Sequence, residues 1–263
     1  SYSGTHMEGF HAAVLATVRN LAHACAPHSG VNVLPGFVST ADLRHLKDIL
    51  EDFGLPYAML PDYSETLDGE SWAEYQKLSA GGTPVAAISA MGGAAATLQL
   101  GDSLQGLDAT AGAYLEKTFG VKLHALGLPI GMRQTDRFFE ALEKVSGRKI
   151  PGRHAAERGR LVDAYIDAHK YVYGRRAIVY GEIDFVASMA SFLDEIGMVP
   201  VLCATGASTN TFQAVVNPLV CNTREMIHLM EDTDFTTMLE TGRDLQADII
   251  IGNSKGYFLA KRL

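Results

Sequence analysis

Residues 157–186, ERGRLVDAYIDAHKYVYGRRAIVYGEIDFV, hold a long helical pattern, its stop signal, a short apolar run and the start of another helix. Leu161, Val162, Tyr165, Ile166, His169, Val172 and Tyr173 recur with the 3.6-residue period of one helix face. Arg160, Asp163, Asp167 and Lys170 occupy the other face, where opposite charges three positions apart help slightly. Gly174 supplies the left-handed position that ends such a helix, and Arg175 and Arg176 place positive charge at its negative pole. Ala177 to Tyr180, closed by Gly181, then reads as a strand buried on both faces. A helix handing over to a buried strand commits this part of the chain to a parallel α/β unit.

The rest of the chain repeats that alternation. Strands are predicted at VNVL (31–34), YAML (57–60), ATLQL (96–100) and KLHAL (122–126), with helices near 41–53, 84–92 and 110–119. A helix over 5–26 opens on Thr5 and Glu8, a capping-box pair. The helix at 41–53 has Ser39 or Thr40 as cap, a stripe of Leu43, Leu46, Ile49, Leu50 and Phe53, and Gly54 as stop. A helix at 136–146 and the long one described above form a connector. A second series of strands follows at AIVY (177–180), VPVLC (199–203), PLVC (218–221) and DIII (248–251). The expected fold class is α/β, with repeated doubly wound, Rossmann-like parallel sheets joined by a helical connector.

At 263 residues, 47% hydrophobic and 20% charged, the chain can bury two such cores and is not a disordered one. A net charge of −8 without any Lys/Arg-rich run argues against nucleic acid as a partner. No apolar stretch approaches the ~20 residues that span a bilayer, and no basic-then-apolar leader opens the sequence. The expectation is no membrane and a cytoplasmic location. The chain starts at Ser1 without Met and stops inside a helical pattern, as a segment of a longer protein would. Cys25, Cys203 and Cys221 are far apart, odd in number and set in apolar context, which predicts buried thiols rather than disulfides or a metal motif.

Loops after the strands carry Pro35 and Gly36, Pro61, Gly101, Gly127, Gly181, Gly206 and Gly252. In open parallel sheets a ligand sits beyond those strand ends, near the point where strand order reverses. Tight strand-to-helix turns need glycine in any case, so the loops locate a site without identifying its ligand. Gly252-Asn253-Ser254-Lys255-Gly256 could offer amides and Lys255 to an anion, or be an ordinary helix start. His23, Cys25 and His28 lie close in sequence, but His23 and Cys25 point to different sides of a helix end, which disfavours a metal. Asp163 and Asp167 read as a solvated face, and His169, on the apolar stripe, as a core histidine with one hydrogen bond. Dinucleotide, P-loop, nucleophile-elbow and zinc-protease motifs are all missing, so no catalytic set is expected.

In order, the blocks Ser1-Tyr2-Ser3-Gly4-Thr5-His6, Val33-Leu34-Pro35-Gly36, Gly81-Gly82-Thr83, Leu128-Pro129-Ile130-Gly131 with Thr135-Asp136, Ser146-Gly147, residues 157–186 and Ile251-Gly252-Asn253-Ser254 resemble the β-type subunits of the nitrogenase component 1 family. The resemblance covers essentially the whole chain. Within the family, Leu60-Pro61-Asp62-Tyr63-Ser64, Leu67-Asp68-Gly69 and Gly82-Thr83-Pro84 through Met91-Gly92 look more like the scaffold on which the iron–molybdenum cofactor is assembled than like the catalytic β chain. The resemblance implies domains as follows: the C-terminal tail of a first α/β domain (1–27), a second α/β domain (28–130), a helical connector (131–174) and a third, truncated α/β domain (175–263).

It also implies partners and cofactors: an α-type scaffold subunit in a heterotetramer, transient cofactor donor and acceptor proteins, and the reducing iron protein. Iron–sulfur clusters and a cofactor precursor belong to the full complex, with no cluster ligated by a cysteine of this span. Ser1 falls where the catalytic β chain has a serine near its interface cluster. The other readings are the β chain of nitrogenase itself or of a related two-component reductase, and, from another class, a two-domain sugar-nucleotide enzyme. That enzyme would need a phosphate clamp, for which Lys255 and Arg133 are the only candidates.

Overall fold

The computed structural model describes residues 5–69, 71, 74, 75, 77 and 80–263. Two compact units share the chain. The first comprises Ser1–Leu126 with Phe139–Pro151, and the second Gly127–Phe138 with Gly152–Leu263.

The first unit is built on α1 (His6–Leu21), β1 (Val31–Leu34), α2 (Thr40–Asp52), β2 (Tyr57–Met59), α3 (Val85–Ser89), β3 (Ala96–Leu100), α4 (Ala111–Phe119) and β4 (Lys122–Leu126). Its four strands are parallel in the order β2-β1-β3-β4. Every residue of β1 and β3 is buried, which explains their near-continuous apolar runs. Asn32 survives in β1 because its Nδ2 donates to the Met91 carbonyl (3.0 Å) and Thr97 Oγ1 (3.1 Å). Both capping boxes form: Thr5 with Glu8 starts α1, and Ser39 with Asp42 starts α2. Leu43, Leu46, Ile49 and Leu50 give α2 its buried stripe.

The second unit contains α6 (Gly152–Val172), β5 (Arg176–Tyr180), α7 (Ile183–Glu195), β6 (Val199–Ala204), α8 (Phe212–Val216), β7 (His228–Met230), α9 (Phe235–Gly242), β8 (Ile249–Ile251) and α10 (Tyr257–Ala260). Its sheet is also parallel, ordered β7-β6-β5-β8. The core joins α7 to the sheet through Val179, Ile183, Val186, Ala190, Leu193, Cys203 and Phe212. Helix α5 (Gly131–Ser146) is divided between the two units. In each sheet the first strand lies inside with later strands on both sides, the doubly wound pattern expected from the alternation.

Three local expectations are corrected, and one unpredicted strand is added. Helix α1 ends at Leu21, not at residue 26, and His23 hydrogen-bonds the Ser89 carbonyl instead of continuing the helix. Helix α5 begins at Gly131, five residues before the expected start. PLVC (218–221) is no strand: Leu219 and Val220 are buried, but the amides of Cys221, Asn222 and Thr223 bond to the Asp194 carboxylate and leave the extended path. The fourth strand of this sheet is instead His228–Met230, three residues too short to carry a pattern.

The stripe of α6 divides in two. Tyr165 and Val172 turn inward, Val172 onto the core and Tyr165 against Phe192. Ile166 is 70% exposed, Tyr173 is 68% exposed, and His169 is exposed beside Tyr173 rather than in the core. No residue of α6 is fully buried. Gly174 ends the helix with φ +73°, as expected.

Candidate functional site

Strand order reverses between β1 and β3 in the first unit and between β5 and β8 in the second. A doubly wound sheet opens a crevice at such a point because the following helices leave on opposite faces. The two crevices differ.

In the first unit a shallow pocket with room for about one water lies beyond the carboxyl ends of β1, β2 and β3. Its apolar walls are Phe10, Val14, Leu34, Leu60, Leu100 and Leu104. Gly36 (φ +74°) permits a close turn here, since a Cβ would sit 3.1 Å from the Leu100 carbonyl oxygen. The polar lining includes Gln99 and Thr110, both nearly fully buried. Gln99 Oε1 accepts from the amide of Gly112 (3.0 Å), and Thr110 Oγ1 accepts from Ala113 (3.1 Å). Both contacts cap the positive end of α4. Gln99 Nε2 has no partner among the described residues. Such a buried donor costs about 1–3 kcal/mol if nothing accepts from it.

In the second unit the Tyr180 ring fills the crevice. It packs so closely on the loop after β8 that a Cβ on Gly252 or Gly256 would lie 2.3 Å or 2.0 Å from it. Tyr180 also donates from its hydroxyl to the Asn253 carbonyl. Asn253 Oδ1 accepts from the Lys255 amide (3.0 Å), so the loop caps its own turn. The 252–256 glycines therefore serve close packing around tyrosine.

A buried ionic knot holds the second unit together. The Asp194 side chain is 0% exposed and accepts from Arg133 Nη1 (3.0 Å), the amides of Cys221 (3.2 Å), Asn222 and Thr223 (both 2.9 Å), and Thr223 Oγ1 (3.0 Å). Burial alone would raise its pKa, but the guanidinium and amide bonds outweigh this and hold it below the usual carboxylate range. Glu195 accepts from the amides of Met132 (2.7 Å) and Arg133 (2.9 Å) at the start of α5, and from the Tyr165 hydroxyl (2.8 Å). A carboxylate there complements the helix dipole. Burial and the neighbouring Glu195 push the Tyr165 phenol upward, so it remains protonated. Glu231 similarly caps the loop before α8, accepting from Thr209, Asn210 and Phe212 amides.

The sequence candidates scatter. Ser1 lies outside the described residues. Arg133 is committed to Asp194 and Lys255 is exposed, so they form no phosphate clamp. Cys25 Sγ and His28 Nε2 meet the same Ala90 carbonyl (3.3 and 3.0 Å), and among the described residues no three His, Cys, Asp or Glu could hold a metal. Cys203 sits in the core, where burial pushes its thiol up to about 12, whereas Cys25 and Cys221 are exposed rather than buried as expected. Asp163 and Asp167 are exposed. No described helix is long and apolar enough to cross a membrane. Gln99, Asp194 and Glu195 were not singled out by sequence. Their signal was a large polar residue near the end of a buried strand, and an acidic pair closing an apolar helix.

The family model described as Nitrogenase component 1 type Oxidoreductase matches residues 1–263. The chain is 33% identical over 263 residues to the nitrogenase molybdenum-iron protein beta chain of Clostridium pasteurianum, covering 99% of this chain and 57% of that protein. It is 29% identical over 269 residues to the nitrogenase iron-molybdenum cofactor biosynthesis protein NifN of Bradyrhizobium diazoefficiens, covering 100% and 54%. Among solved structures it superposes on a chain of nitrogenase Cp1 at pH 6.5 with a TM-score of 0.93 and 32% identity, over 99% of this chain and 57% of that one. The chain thus spans a little over half the length of the relatives it matches.

Proposed function

The chain belongs to the nitrogenase component 1 family as a β-type subunit, and from that premise we propose that it is the β-type half of the scaffold on which the iron–molybdenum cofactor is assembled. This reading rests on the resemblance of Leu60-Pro61-Asp62-Tyr63-Ser64, Leu67-Asp68-Gly69 and Gly82-Thr83-Pro84 through Met91-Gly92 to the scaffold subunit. Asp62 pairs with Lys47 (2.7 Å), Asp68 with Arg44 (2.9 Å), and the Tyr63 hydroxyl donates to the Val38 carbonyl (2.6 Å). These side chains pin the loop after β2 onto α2 and its approach. The relationship to NifN supports the same reading.

In this account the chain contributes shape and docking. The outward side of α6, with Ile166, His169 and Tyr173, is apolar surface facing solvent. The α-type subunit of a heterotetramer is its proposed occupant. Cofactor precursor and clusters are proposed to lie in the full complex, with donor and acceptor proteins and the reducing iron protein as transient partners in the cytoplasm. The domain assignment of 1–27, 28–130, 131–174 and 175–263 is part of this proposal.

A second reading, the catalytic β chain, is favoured by the 33% identity to the Clostridium pasteurianum protein. The full reading frame, purified with its α-type partner, separates them. A scaffold passes a precursor that activates cofactor-free component 1 and does not itself reduce acetylene with the reducing iron protein. Acetylene reduction by the purified pair would establish the catalytic reading.

A further inference from the structure

We propose that the outer edge of β8 is the seat of a further parallel strand, supplied by this same polypeptide after α10. The inference holds for scaffold and catalyst alike.

Three observations support it. First, β8 offers backbone groups on that side. Just before it, the Asp248 amide donates to the Arg176 carbonyl of β5 (2.8 Å), so by the alternation of a strand Ile250 faces β5. Ile249 and Ile251 then turn their amides and carbonyls to the outer edge, where no described strand pairs with them. Second, β8 is a run of three isoleucines, the composition of a strand covered on both faces, yet Ile249 is 44% exposed while Ala177, Ile178 and Val179 of β5 are 0% exposed. A true sheet edge is normally guarded by charge or proline, and Ile249–Ile251 has neither. Third, the handedness of the connections fixes a direction. Helices α7 and α8 pack on one face of the sheet, with Ile251, and lead the chain from β5 outward through β6 to β7. Helix α9 packs on the opposite face, with Ile250, and leads the chain back across to β8. Leu259 of α10 joins Met238 and Leu239 of α9 on that face. A right-handed crossover there moves the chain in the same direction once more, from β8 to its open edge. This chain covers only 57% of the Clostridium pasteurianum relative, so relatives of that length have further chain from which such a strand can come.

The test uses the full-length subunit. Hydrogen exchange resolved to single residues should show the Ile249 and Ile251 amides slowed at least about a hundredfold relative to an unpaired amide. Ile249→p-benzoylphenylalanine, illuminated in the same subunit, should cross-link to a peptide that follows Leu263, which mass spectrometry identifies. Proline is tolerated where a strand's N–H faces an open edge and not where that N–H is paired. Ile251→Pro should therefore lower the unfolding temperature about as far as Ile250→Pro, whose amide meets β5. Free exchange at both amides, an Ile251→Pro subunit as stable as the parent, or a cross-link to any peptide other than one after Leu263 would each overturn the proposal. Protection that grows with protein concentration would assign the edge to a second copy, and protection found only with the α-type subunit bound would assign it to that partner; either result overturns it as well.

Discussion

Asp194→Asn changes one atom at the centre of the second unit, and its cost follows from the donors around it. One carboxylate oxygen accepts from the Asn222 and Thr223 amides and Thr223 Oγ1, and an Asn carbonyl can keep these. The other oxygen accepts from Arg133 Nη1, the Cys221 amide and Asn222 Nδ2 (3.2 Å). An amide NH₂ at that position meets three donors with a fourth. Removing one partner of a buried ion pair costs about 3–5 kcal/mol. Arg133 is partly exposed and can recover some hydration, which places the expected cost near the lower end, about 3 kcal/mol. For a unit of this size that is a fall of roughly 10 °C in the unfolding temperature. Thermal unfolding by circular dichroism gives the magnitude, and hydrogen exchange at Cys221, Asn222 and Thr223 gives the location. A loss below ~1 kcal/mol with those amides still protected would refute the argument that Asp194 replaces strand pairing at 218–223.

Three further outcomes follow from the same geometry. Asp194, Asp62 and Glu231 all have folded-state pKa values below their ordinary ones, so their contributions are present above the unfolded carboxylate range and are lost as pH falls through the folded values. An acid titration of stability should show that loss below about pH 4, and Asp194→Asn should make it shallower. Gly256→Ala places a methyl group against Tyr180 and should destabilise the second unit by about 1–3 kcal/mol, with Tyr180→Leu in the same chain restoring part of it; additive effects would contradict the packing. Cys203, buried and with its thiol pushed up to about 12, should resist alkylation in native protein and react only on unfolding, which mass spectrometry after a brief iodoacetamide pulse would read.

The architecture was legible because backbone chemistry writes itself into a few residues. Thr5 with Glu8, Ser39, Gly54 and Gly174 mark helix ends by local physics, and the apolar runs of β1, β3 and β5 mark strands covered on both faces. What escaped depends on distant contacts. PLVC resembles a strand until Asp194 takes its amides, and His228–Met230 pairs with β6 on too few residues to show a period. The α6 stripe gives a helix correctly, but a period cannot distinguish a side facing the unit's own core from one facing solvent, so His169 was misplaced. The pocket was half visible: glycine and proline loops located it, while Gln99, one of its polar residues, looked like one more position in a strand.

The outward face of α6 is where the proposed role meets the structure most directly. The full-length subunit co-expressed with its α-type partner should yield a heterotetramer by analytical ultracentrifugation. Ile166→Glu together with Tyr173→Glu should dissociate it while the unfolding temperature of the isolated subunit stays unchanged, because neither side chain is buried in its own unit. A doubly substituted subunit that still assembles with parental affinity would contradict the claim that this chain serves by docking a partner along α6.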